Sequence, residues 1–97
     1  MIDKINKINQ TLEQKFGKED IFRVVTRLLE ECGELAAQVN HFEGSGLKRA
    51  KHGNPNKKDL AKEVQDVMRC ALQIADHYGI RKELEQSIER SLHELRS

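Results

Sequence analysis

Two pairs of carboxylates stand out in the sequence because their spacing suits a shared chemical task. Glu31 and Glu34 form one pair, and Glu63 and Asp66 form the other. Among the 16 acidic residues they are the only pairs separated by three positions, the spacing that places neighbours on one helix face. The spacing therefore predicts that the two pairs are halves of one site.

A leucine precedes each pair by three positions, Leu28 in one case and Leu60 in the other. On a helical projection the two acids then lie about 60° and 120° from that leucine in both segments, at the edge of the apolar face. If the two helices pack antiparallel, a pseudo-twofold axis brings all four carboxylates together.

Four carboxylates within a few ångströms raise one another's pKa, and a divalent cation relieves the repulsion. All-oxygen ligation suits Mg²⁺, with Mn²⁺ as a substitute. A di-iron bundle would instead carry Glu-x-x-His pairs, which are missing from both acidic segments. The alternative is that these acids are ordinary edges of solvated helix faces, and the residues alone leave both interpretations open.

The elements that must position these acids are helices. Apolar residues recur at helical spacing in four stretches and nowhere alternate as in a half-buried strand, so we predict one all-α domain over residues 1–97, a four-helix bundle with two long central antiparallel helices. Asp59 is the expected N-cap of the third helix. The predicted helices run from Ile5 to Phe16, from about Asp20 to Phe42, from about Asp59 to Tyr78, and from near Ile80 to Leu95.

Size and charge limit the classes of function. A chain of 97 residues buries only about 60–65% of its unfolded surface, so we expect a homodimer or homotetramer. A formal net charge of +1 gives no global attraction to nucleic acid or membrane. No apolar stretch follows Met1–Lys7, which predicts neither a signal peptide nor a spanning segment and hence a cytoplasmic location. Cys32 and Cys70 are expected to be reduced thiols in or near the core.

A basic segment separates the two acidic helices. Residues 43–58 contain Gly, Asn and Pro and are predicted to form a loop, which is either a lid over a triphosphate or a solvated connector. Arg27, four residues before Glu31, is a further cation that either reaches a phosphate or forms a surface ion pair. The basic residues of the segment are Lys48, Arg49, Lys51, Lys57 and Lys58.

Aromatic residues are scarce, and Phe16, Phe22, Phe42 and Tyr78 all fall at core spacing. We therefore expect them to pack in the core rather than to stack on a nucleobase. The sequence leaves the preferred base undetermined.

The acidic segments resemble a known family. Residues 29–35, LEECGEL, and residues 62–67, KEVQDV, resemble the EExxE and ExxD signature of the MazG-like, all-α nucleoside triphosphate pyrophosphohydrolases. The resemblance implies a magnesium-dependent, oligomeric enzyme that cleaves between the α- and β-phosphates and releases a nucleoside monophosphate and pyrophosphate.

The same resemblance assigns roles to individual residues. It implies that Glu31, Glu34, Glu63 and Asp66 bind the metal, and that Glu30 positions or deprotonates the attacking water. Two alternatives remain open: a nonenzymatic helical interaction or regulatory module of the same fold, and a phosphoribosyl-ATP pyrophosphatase.

Overall fold

A computed structural model describes residues 1–44 and 53–96, which contain four helices and no strand. The prediction of an all-α chain is therefore confirmed for the part that is described. The helices are α1, Ile2–Phe16; α2, Ile21–Glu43; α3, Lys57–Tyr78; and α4, Arg81–Arg96.

The boundary between α1 and α2 follows from local chemistry. Gly17 ends α1 with a φ of 86°, a conformation that costs glycine little, and its N–H donates to the Glu13 carbonyl at 2.8 Å. Asp20 caps α2, because its carboxylate accepts a hydrogen bond from the Phe22 N–H at 2.7 Å and so satisfies a free donor of the first turn.

The start of α3 differs from the prediction. Asn56, not Asp59, is the N-cap, and its side-chain oxygen accepts from the Lys58 N–H at 2.8 Å. Asp59 lies inside the first turn, where a carboxylate still favours the helix dipole. Lys57 and Lys58 are consequently helical rather than part of the loop, and at the other end Gly79 terminates α3 in the left-handed conformation.

Helices α2 and α3 run antiparallel. Arg27, near the start of α2, hydrogen-bonds Gln73 near the end of α3, whereas His41, near the end of α2, contacts the carbonyl of Gly53 just before α3 at 2.7 Å. This arrangement places the middle of α2 opposite the middle of α3, where the acidic pairs lie.

Helix α1 packs on α3 through a reciprocal polar contact. The Asn9 amide donates to the Arg69 carbonyl at 3.1 Å, and the Arg69 guanidinium donates to the Asn9 Oδ1 at 3.2 Å. Helix α4 is attached more loosely, since none of its residues is buried. Helix α3 therefore contacts each of the other three helices and is the centre of the fold.

The chain alone has a small core. Its radius of gyration is 16.5 Å, against about 12.5 Å for a compact domain of this length. The dimensions of 46 × 45 × 22 Å describe a flat molecule. In the described residues the buried apolar side chains are those of Ile5, Val24, Cys70, Leu72 and Ala75.

Several residues expected in the core lie at the surface. Phe16, Phe22 and Tyr78 are 81%, 80% and 63% exposed, and Cys32 is exposed while Cys70 is fully buried. The prediction of core packing is wrong for these three aromatic residues and for Cys32, because the neighbouring helices cover only part of each apolar face. Within residues 1–44 and 53–96, no helix combines the length and the apolar character that crossing a bilayer requires.

Candidate metal centre

Three of the four predicted acids meet between α2 and α3. Glu31 on α2 faces Glu63 and Asp66 on α3, and one carboxylate oxygen from each lies within 4.8 Å of the others. The spacing of three residues puts Glu63 and Asp66 on one face of α3, and the antiparallel packing brings Glu31 opposite them. All three are half-buried. We call these three residues the acidic cluster.

Two oxygens of the acidic cluster lack a partner. The Oε2 atoms of Glu31 and Glu63 are buried, and no group in the described part of the chain donates a hydrogen bond to either. A buried polar atom without a partner costs roughly 1–3 kcal/mol, and more when it is charged. The arrangement is therefore unfavourable unless a proton or a cation compensates it.

The charges of the cluster also oppose one another. Burial, followed by the charge of Glu34, raises the pKa of Glu63 to about 7. Burial, followed by the charges of Glu34 and Asp66, raises the pKa of Glu31 as well. Both shifts mean that the ionised carboxylates are held in a site that disfavours them in the absence of a cation.

Glu34 occupies the rim of the site. Its side chain is exposed and it is not part of the group whose oxygens converge, yet its charge acts on Glu31 and Glu63. The structure thus brings together three of the four predicted ligands and leaves the fourth within electrostatic range.

A lysine that the sequence analysis did not single out contacts the cluster. Lys62 Nζ lies 2.6 Å from Asp66 Oδ1, and its side chain is 61% exposed. The signal was available in the sequence, because positions 62 and 66 have the i,i+4 spacing of helical ion pairs. Lys62 partly neutralises Asp66 and leaves the Oε2 atoms of the two glutamates unpartnered.

The donor set suits a small hard cation. Carboxylate oxygens bind Mg²⁺ at about 2.0–2.1 Å, so ligands on opposite sides of the ion are about 4.2 Å apart. The three oxygens lie within 4.8 Å of one another, and because at least two of the three ligand pairs on an octahedral ion are adjacent, about 2.9 Å apart, the side chains would have to move closer together to share one ion. With that movement, Glu31, Glu63 and Asp66 can hold Mg²⁺ or Mn²⁺.

Glu30 lies apart from the acidic cluster. Its side chain is exposed and borders a surface depression formed by the first part of α2, together with Arg23 and Thr26. It is about 100° round the helix from Glu31, so its proposed action on a water requires that the water lie at the rim of the site.

Arg27 is engaged elsewhere. Its guanidinium donates to Glu19 and to Gln73, and its Nε donates to Cys70 Sγ at 3.4 Å. Burial lowers the Arg27 pKa, but the hydrogen bonds and charges of Cys70 and Glu19 outweigh it and leave the pKa raised. Arg27 therefore joins the α1–α2 connection to α3, and a phosphate would have to displace one of these partners.

The basic segment is only partly described. Lys57 and Lys58 are exposed in the first turn of α3, about 8 Å along the helix axis from Glu63. Lys48, Arg49 and Lys51 lie outside the described residues.

Comparison of the chain with models of protein families, with curated proteins and with solved structures gives no match in any of the three.

Proposed function

We propose that the protein is a magnesium-dependent hydrolase that cleaves a nucleoside triphosphate between its α- and β-phosphates. The products are a nucleoside monophosphate and pyrophosphate, as the resemblance of α2 and α3 to the MazG-like enzymes implies. We expect the enzyme to act in the cytoplasm as a homodimer or homotetramer, in control of the nucleotide pool.

One observation carries the proposal: Glu31 and Glu63, two members of the acidic cluster, each have a buried carboxylate oxygen with no hydrogen-bond partner among the described residues. An acidic face that merely contacts solvent would keep its carboxylates hydrated and its pKa values near normal. Here burial raises the pKa of Glu63 to about 7, so the protein maintains an unfavourable arrangement that a divalent cation would turn into a favourable one.

The proposed roles follow from position. Glu31, Glu63 and Asp66 hold the metal ion between the helices, and Glu34 extends the ligand set from the rim. When bound, Mg²⁺ neutralises charge on the triphosphate and lowers the pKa of a bound water. Glu30 orients or deprotonates the attacking water, and the lysines at the start of α3 attract the anionic substrate.

The test is a panel of natural and modified nucleoside triphosphates incubated with Mg²⁺, with phosphoribosyl-ATP included. Products are identified by ³¹P NMR. We expect monophosphate and pyrophosphate from at least one member of the panel, whose identity defines the preferred base. Turnover of phosphoribosyl-ATP alone would favour the narrower biosynthetic activity, and diphosphate with free phosphate would contradict the proposed cleavage.

Variants of the acidic cluster connect activity to the site. We expect Glu63→Gln, Glu34→Gln and Asp66→Asn each to lower the rate about 100-fold or more, since each removes charge that acts directly on the reacting groups. Glu89→Gln makes the same chemical change at an exposed position of α4. It is the matched control and should keep full activity. Undiminished turnover in Glu63→Gln would contradict the metal assignment.

A nonenzymatic interaction module is the second candidate. The exposed apolar side chains of α4, among them Ile88, Leu92 and Leu95, favour a role in contacting other proteins. The two functions are separated by the effect of Mg²⁺ on the melting temperature of the wild type and of Glu63→Gln. A binding module without a metal site predicts no Mg²⁺-dependent stabilisation in either protein.

A further inference from the structure

Helix α2 carries a second apolar face that nothing in the described chain covers. Its members recur at intervals of three and four residues, the spacing of a coiled-coil seam, and all are exposed. The face lies about 110° round the helix from the residues that contact α3. We call it the outer stripe. It consists of Phe22, Val25, Leu29, Cys32, Ala36 and Val39.

The outer stripe lies in an uncharged band. Thr26, Gly33 and Asn40 flank it on the side away from α3, and a Cβ placed on Gly33 would meet no atom within 4 Å, so that side is open. Between Phe22 and Val39 the charged residues of α2 lie on other faces of the helix, with Glu30 and Glu34 on the side away from the stripe, and Glu43 takes the next position of the stripe at its end. Depletion of charge at the centre of a surface patch is typical of protein interfaces.

We propose that the outer stripe is the contact surface for a second copy of this chain, paired antiparallel about a twofold axis. The axis passes between Leu29 and Cys32. In this register each larger side chain meets a smaller or equal one: Leu29 opposes the partner's Cys32, and Val25 opposes the partner's Ala36. The uncharged band permits such self-pairing, because identical charges would otherwise face each other across the axis.

The need for a core favours a copy of the chain over an unrelated protein. Residues 1–44 and 53–96 bury few apolar side chains and leave Phe22 80% and Leu29 69% exposed. Burial of such groups is the main source of folding free energy, so whatever covers the outer stripe contributes to folding itself. A second copy is present whenever the chain is made, which a different partner is not.

This inference gives the self-association proposed above a specific surface, but it does not depend on the catalytic proposal. The outer stripe and the acidic cluster face different directions on α2, so pairing leaves the carboxylates open. Its readouts are molar mass and crosslinking, which do not change if the protein proves to hydrolyse nothing.

The test begins with molar mass by light scattering after size exclusion. We expect the wild type at twice the chain mass of 11.2 kDa, or a multiple of that dimer, and Leu29→Glu at the monomer mass with helical circular dichroism. Leu95→Glu changes a still more exposed leucine on α4, at 84%, and should leave the mass unchanged. Folded wild type at 11.2 kDa, or an associated Leu29→Glu, would overturn the proposal.

Crosslinking in the wild type covers the case in which Leu29→Glu fails to fold. Across the axis the two Cys32 Cα atoms would be about 7 Å apart, from the spacing of packed helices, the helix radius and the rise per residue. That distance lies at the upper limit for a disulfide and within the reach of a short bismaleimide. We expect a covalent dimer that Cys32→Ser abolishes, while Cys70, which is buried, does not react. Absence of the covalent dimer would overturn the register.

Discussion

Two polar clusters lie about one helical turn apart along α2, and in the described residues the first has partners for several of its atoms, whereas the second has a cation only at Asp66, from Lys62. Arg27 directs its donors to Glu19, Gln73 and Cys70, and its pKa is raised, which favours its charge. One turn further along α2, the Glu31 carboxylate meets the acids of α3, and one of its oxygens is buried and receives no hydrogen bond from the described residues.

The difference shows that this helix pair can satisfy a half-buried charge with side chains from both helices and from the segment before α2. These side chains provide partners for the Arg27 guanidinium, but among the described residues none donates to the buried oxygens of Glu31 and Glu63. Since buried polar groups are nearly always partnered, the two unpartnered oxygens are the feature that the proposed cation would explain. The three predictions that follow test whether the two clusters behave differently, in order of decreasing effect.

Removal of the compensated charge should destabilise the protein whether or not metal is present. We expect Arg27→Gln to cost about 2 kcal/mol, because it leaves Glu19 and Gln73 without their partner. For a domain of this size that is roughly 10 °C in melting temperature, followed by circular dichroism with and without Mg²⁺. Arg23→Gln is the matched control, because the Arg23 side chain is 81% exposed and forms a longer ion pair with the same Glu19, at 3.7 Å. Equal losses in both variants would contradict the structural role of Arg27.

The uncompensated cluster should make the metal-free protein sensitive to pH near neutrality. The pKa of Glu63 is about 7 in the folded chain and about 4.3 in an unfolded one. The folded state therefore binds a proton more tightly. Protonated Glu63 therefore stabilises the folded state. This stabilisation is fully present below the unfolded pKa of about 4.3 and is lost as the pH rises through the folded pKa of about 7.

Solvent screening of this half-buried carboxylate reduces the full linkage effect by about half, so we expect the melting temperature of the wild type to fall by roughly 5 °C relative to Glu63→Gln between pH 5 and pH 8. Saturating Mg²⁺ at pH 8 should restore it in the wild type alone, because a cation takes over from the proton. Glu63→Gln also serves as the control, because the other titrating groups are the same in the two proteins. Parallel pH curves for the two proteins would argue against an uncompensated Glu63.

The smallest effect is expected at Lys62, the cation nearest to the acidic cluster. Its exposed ion pair with Asp66 is worth less than about 1 kcal/mol, so Lys62→Gln should lower the metal-free melting temperature by only about 2 °C. Because the same change removes a positive charge that competes with the ion, the rise in melting temperature on addition of Mg²⁺ should be larger than in the wild type. Lys58→Gln, an exposed lysine one turn earlier, is the control. Weaker Mg²⁺ stabilisation in Lys62→Gln would contradict the competition between Lys62 and the ion.

Local patterns in the sequence predicted the helices and the placement of the acids on them. The 3.6-residue period of apolar side chains located all four helices of the described chain, and Gly17 and Asp20 marked the boundary of α1 and α2 within a residue. These features depend on neighbours in the chain, which is why they can be read without a structure. The choice of Asp59 over Asn56 as a cap failed because both residues suit the position and only the backbone conformation distinguishes them.

Tertiary packing decided what each face of these helices does. The sequence gives Cys32 and Cys70 the same apparent environment, yet α3 lies at the centre of the fold and buries Cys70, whereas α2 leaves Cys32 exposed. For Arg27 the sequence left a phosphate contact and an i,i+4 ion pair open, and in the structure its guanidinium binds Gln73, 46 positions away. The helical period fixes the direction of a side chain relative to its own axis. The partner it meets depends on where another helix crosses, and that is set by the packing of the whole chain.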